Sequence, residues 1–158
     1  MKKGLLIICL AAALLLLGSC GEKKKEEPAA TAQKAVPLTD AVRAAAADAD
    51  ALVPLNGDDL SADLGIEADE YSEFVFLQST GMDGREILVI RAKDEASAGK
   101  AAKAAEEYLQ RRRNEARNYA PAAYELLTAA EVKTRNKTVA LIVGPNAAQE
   151  TEAVLAGE

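Results

Sequence analysis

The chain has no histidine and no tryptophan in 158 residues, and its two cysteines are Cys9 and Cys20. Those absences exclude zinc sites of the Cys/His kind, Ser-His-Asp and Cys-His catalysis, and haem ligation by histidine. Aromatic residues make up 4% of the sequence, so the core must be aliphatic. Long apolar runs are also scarce. The longest, Leu5 to Leu17, falls short of the roughly 20 residues needed to cross a bilayer.

What that run does have is a context. Lys2 and Lys3 precede it, and Leu17-Gly18-Ser19-Cys20 closes it. A basic start, a short apolar stretch and small residues at a cleavage point make a secretory signal, and the cysteine that follows makes it a bacterial lipoprotein signal. Residues 1–19 are expected to be removed, with Leu17, Gly18 and Ser19 forming the recognition site and Cys20 carrying a diacylglycerol, often with a further acyl chain such as palmitate. At ~0.8 kcal/mol per buried methylene, two chains hold a protein at a membrane without spanning it. The expected location is extracytoplasmic, anchored to the bacterial cell membrane through the Cys20 lipid. No other cofactor is implied.

Residues 20–37 follow as a tether rich in Lys, Glu, Ala and Pro, with almost nothing to bury. From Leu38 to Glu158 the composition changes to that of a single domain. This part holds 13 basic and 22 acidic side chains, a net charge of −9. Nucleic acid is excluded as a partner, because its binders need a basic face.

Within the domain, Thr39 or Asp40 is expected to cap a helix from Ala41 to Leu52 that Pro54 stops. Asp58 to Gly65 reads as a second short helix with Leu60, Leu64 and Ile66 facing inward. Phe74–Leu77 and Ile87–Ile90 read as a hairpin across Gly81, Asp83 and Gly84. Both strands are apolar at consecutive positions, so both faces must be covered, by helices or by a partner chain. Asp94 caps the longest helix, Glu95 to Asn118, whose buried stripe is mostly alanine. A short helix at Ala122–Leu127, a second hairpin across Asn136-Lys137 and a last helix, Ala147–Leu155, complete the order. The fold class is α+β: an antiparallel sheet of about three to four strands from two hairpins, packed with one long and several shorter helices.

A lipobox, a charged tether, Ala62-Asp63-Leu64-Gly65-Ile66 leading to Tyr71, Glu86-Ile87-Leu88-Val89-Ile90-Arg91-Ala92-Lys93-Asp94 and Asn136-Lys137-Thr138-Val139-Ala140-Leu141-Ile142-Val143 together resemble a family of small bacterial lipoproteins catalogued as domain of unknown function 4358. The resemblance covers most of residues 38–156. It implies domain extent and lipoprotein status, and no activity, ligand or catalytic residue.

Two surface clusters carry charge enough to bind something. Arg111, Arg112, Arg113 and Arg117 gather near the end of the long helix as a candidate anion or partner patch, with Glu107 and Arg111 spaced for an i,i+4 pair. Asp58, Asp59, Asp63, Glu67, Asp69 and Glu70 form the densest acidic stretch, the one place for a carboxylate-dependent envelope enzyme or a metal. Their spacing lacks the alternating ligands and central glycine of a calcium loop. No catalytic residue and no metal ligand set is assigned. The expected role is a non-catalytic interaction or ligand-binding module, with an envelope protein or a second copy of the chain as partner.

Overall fold

Strand Glu86–Ala92 (β3) and strand Thr138–Val143 (β5) are buried at nearly every position, so the sheet is built around them. The computed structural model describes residues 36–158; the signal, the Cys20 acceptor and the tether up to residue 35 lie outside the described residues. Strands Val53–Pro54 (β1), Tyr71–Gln78 (β2) and Val132–Arg135 (β4) join β3 and β5 in the order β1-β2-β3-β5-β4, every neighbour antiparallel. The class is α+β, with five strands where three or four were expected. The extra one is β1, which adds two residues alongside Gln78 and Leu77. Its Pro54 has no N–H to donate, which confines such a strand to an edge.

Side chains alternate across β3 and β5, and each face meets its own helices. Leu88, Ile90, Val139, Leu141 and Val143 pack against helices Gly57–Leu64 (α2), Glu95–Ala116 (α3) and Pro121–Ala129 (α4). Ile87, Val89, Ala140 and Ile142 pack against helices Leu38–Ala45 (α1) and Ala147–Leu155 (α5). Burial of each large aliphatic side chain contributes ~1.5–3 kcal/mol. The two-faced apolar strands are therefore covered by the chain's own helices, without a partner.

The first helix differs from expectation. It starts at Leu38 and stops at Ala45, with Pro37 at the N-cap and no side-chain cap from Thr39 or Asp40. Ala46 is extended, and a short 3-10 turn at Ala49–Ala51 follows. The break has a packing reason: it lets Ala46, Ala49 and Leu52 all turn onto the sheet. Elsewhere local chemistry sets the ends. Asn56 and Asp59 form a capping box for α2, and Gly65 closes it with φ 66. The Asp94 carboxylate accepts the Ser97 N–H at 2.7 Å to start α3. Asn136 takes φ 51 in the two-residue turn between β4 and β5.

Two features define the ends of the sheet. At the far end of β3, Arg91 donates to Glu73, to both Glu158 carboxylate oxygens and to the Val36 carbonyl. At the near end, the Ser79–Arg85 turn leads into Glu86. Gly84 there has φ 73, and a Cβ on it would stand 2.7 Å from the Ala123 Cβ, so α4 lies directly on the turn.

Candidate functional site

Glu86 opens β3 on the same face as Leu88 and Ile90, which places a carboxylate in the core beneath α3. It is fully buried. The Tyr108 hydroxyl donates to Glu86 Oε2 at 2.8 Å, and Gln78 Nε2 donates to the same oxygen at 3.1 Å. Oε1 has no partner among the described residues. Burial pushes the Glu86 carboxyl above its ordinary range, against the opposing pull of the Gln78 and Tyr108 hydrogen bonds and the Arg112 charge. Burial, with the Glu86 charge beside it, likewise pushes the Tyr108 hydroxyl up.

Arg112 stands over this group. Its Nε lies 3.6 Å from Glu86 Oε2 and its Nη1 3.7 Å from Glu115, both beyond hydrogen-bond length. Nε is buried without a partner, although Arg112 as a whole keeps 27% of its side-chain exposure.

That remaining exposure faces a cleft of about 210 Å³ between the Ser79–Arg85 turn and the junction of α3 and α4. Arg112, Glu115, Met82, Tyr119, Ala120 and Leu127 are among its lining residues. Met82 is 76% exposed and Tyr119 81%, two of the four exposed large hydrophobics among the described residues. A larger concavity of about 380 Å³ runs between α1 and the β1–β2 edge. Its one cation, Arg43, is already paired with Asp50, and its floor is apolar, so it offers less to a ligand.

The four arginines singled out from sequence each turn to a different partner. Arg111 donates to the Asp63 carbonyl and lies over the Tyr108 ring, 5.2 Å from its centroid. Arg113 closes the end of α4 through the carbonyls of Leu127 and Ala130. Arg117 lies over Tyr124. Arg112 alone lines the cleft. The expected Glu107–Arg111 pair does not form: Glu107 meets Lys103 instead, at 3.7 Å, because Arg111 reaches across to α2.

Three of the six acids in the acidic stretch have structural partners. Asp59 serves the capping box, Glu67 accepts from Ser61, and Glu70 pairs with Lys100 at 3.0 Å. Among the described residues no group of three or more His, Cys, Asp or Glu is placed to hold a metal ion. None of their helices is long and apolar enough to cross a membrane.

Sequence reading missed Glu86, Tyr108 and the Met82–Tyr119 pair as a site. A signal for Glu86 was present: positions 86, 88 and 90 share a strand face, so the border residue of the apolar run had to point inward. Tyr119 and Met82 gave none, being turn residues 37 positions apart.

A family model described as Domain of unknown function (DUF4358) matches residues 45–144, which takes in every cleft residue named here but neither Val36 nor Glu158. Comparison with curated proteins and with solved structures gives no match.

Proposed function

Since the chain belongs to the DUF4358 family, whose description assigns no chemistry, we propose from the geometry that it is a membrane-anchored extracytoplasmic lipoprotein acting as a non-catalytic docking module. In this reading the Cys20 lipid holds it at the membrane and the Met82–Tyr119 cleft engages an envelope protein. The observation that carries the docking role is that two large apolar side chains, each more than three-quarters exposed, flank one cleft that also contains a half-buried guanidinium. Exposed apolar groups set beside polar and charged ones mark interaction sites, where aromatic residues, Met and Arg are enriched. The cleft also lies at the opposite end of β3 from Arg91, to which Val36 is bonded. At ~3.3 Å per residue the five steps from Glu86 to Arg91 span about 16 Å. Val36 and the cleft are therefore at opposite ends of the strand.

The raised proton affinity of Glu86 favours a second reading, a carboxylate-dependent envelope enzyme, since a general acid needs such a shift. Against it, Glu86 has no exposed surface through which to reach a substrate.

Photo-crosslinking in the expressing cells tests the first reading. A crosslinker at Tyr119 or Met82 is expected to trap one defined envelope protein, and a crosslinker at exposed Glu125 is not. In a Cys20→Ala chain, lipid attachment and processing at Cys20 are expected to be lost and the adduct to fall sharply. Equal adducts from all three positions would remove the cleft from consideration. A Cys20→Ala chain that is still cleaved at this site and retained at the membrane would remove the lipid.

A further inference from the structure

Arg112 has five N–H donors in a fixed fork suited to a carboxylate, and among the described residues it donates no hydrogen bond. Its buried Nε forgoes solvation without replacing it. Behind it stands Glu86, whose Oε1 is also buried and unpartnered. Glu86 Oε2 is already held by Tyr108 and Gln78 and stays 3.6 Å from Arg112 Nε, too far for a hydrogen bond. On the outer side only Glu115, 58% exposed, competes for it. Arg112 thus meets its two carboxylates, Glu86 and Glu115, only at ion-pair range, 3.6 and 3.7 Å, which leaves its hydrogen-bonding fork open to a closer acceptor.

The shape narrows what the anion can be attached to. Beyond Arg112 and Glu115 the lining is aliphatic side chains, glycine, Met82 and the Tyr119 ring with its hydroxyl. Its volume of about 210 Å³ is below the ~300–1,000 Å³ of pockets that enclose drug-sized ligands. A single apolar side chain with its own carboxylate fits that space, whereas a long acyl chain does not. A carboxylate and an apolar side chain on one residue occur together at the end of a polypeptide.

We propose that the cleft receives the C-terminal residue of a partner polypeptide, its carboxylate on Arg112 and its apolar side chain between Met82 and Tyr119. This rests on the reading of the cleft as a docking site and adds the chemistry of what docks.

The test uses the full-length chain in lipid nanodiscs, with arginine side-chain Nε–H and tyrosine ring signals followed by NMR. Three probes are titrated: N-acetyl-Ala-Ala-Leu with a free carboxylate, the same peptide as its C-terminal amide, and octanoate. The free acid is expected to shift the Arg112 Nε–H and Tyr119 signals and to bind at least tenfold more tightly than the other two. Arg112→Gln should abolish the difference between acid and amide, and Arg112→Lys, which keeps the charge but not the fork, should retain only part of it. Equal binding of acid and amide overturns the proposal, as does absence of any shift. Octanoate matching the acid overturns the polypeptide as source. If the acid and amide tie while the Tyr119 crosslink persists, the carboxylate inference fails and the docking reading stands. Loss of the crosslink removes the docking reading and this inference with it.

Discussion

β3 has a glutamate–arginine constellation at each end, and the two differ in how completely they are joined. At the Arg91 end, one guanidinium is engaged by Glu73, by both oxygens of Glu158 and by a backbone carbonyl, and Thr138 donates to Glu158 as well. Burial works to raise the Glu158 carboxyl, yet the bonds from Arg91 and Thr138 hold it below its ordinary range. At the Glu86 end, one carboxylate oxygen and one guanidinium nitrogen are buried with no hydrogen-bond partner among the described residues. A saturated polar network fixes structure, because removing any member strands the others. An unsaturated one contributes little to stability and leaves groups available.

Three measurements sharpen or break that contrast. The largest effect is expected from Arg91→Ala, which leaves Glu158 buried and uncompensated and releases Val36. A loss of about 3 kcal/mol in urea-induced unfolding is expected, and a loss below about 1 kcal/mol would mean that the saturated end is no more structural than the other.

Glu86→Gln comes next. A carboxyl whose folded pKa is raised binds its proton more tightly folded than unfolded, so its contribution to stability is present at low pH. It is lost as pH rises from the ordinary carboxylate value through the raised one. The glutamine variant should lose that falling limb when unfolding is followed from pH 4 upward, with a change of about 1 kcal/mol or less at pH 7. Parallel pH profiles for the two proteins would show that Glu86 is not held as described.

The smallest effect belongs to Arg112→Gln. Its ion-pair contacts with Glu86 and Glu115, at 3.6 and 3.7 Å, are longer than hydrogen bonds, so stability is expected to stay within about 0.5 kcal/mol of the parent in the absence of ligand. A cost comparable to that of Arg91→Ala would make Arg112 a structural member of the Glu86 group.

Most of the fold was legible because its signals are local. Gly65 ends α2, Asp94 starts α3, and Asn136-Lys137 turns β4 into β5, each through chemistry within four residues. The first helix was read too long because Ala44 to Ala47 hides where the chain turns; the turn is decided by the sheet surface beneath Ala46 and Ala49. β1 escaped notice because two residues, one a proline, have no periodicity. The candidate site was less legible still. Its residues come from a turn, a strand, the end of α3 and the start of α4, and only folding brings Tyr119 and Met82 to one cleft. The basic cluster did contain the residue that matters, but spacing on a helix could not separate Arg112 from neighbours committed to α2, α4 and an aromatic ring.

The Arg91 end also has a mechanical meaning. Arg91 sits in the middle strand of five and grips the Val36 carbonyl, while the Leu38 N–H is held by Glu73 on β2. Tension applied along the chain at Val36 is thus shared by β2 and β3 at once and passes into the centre of the sheet. It does not peel an edge strand away. A pull at Val36 is in this way met by a strand buried at nearly every position.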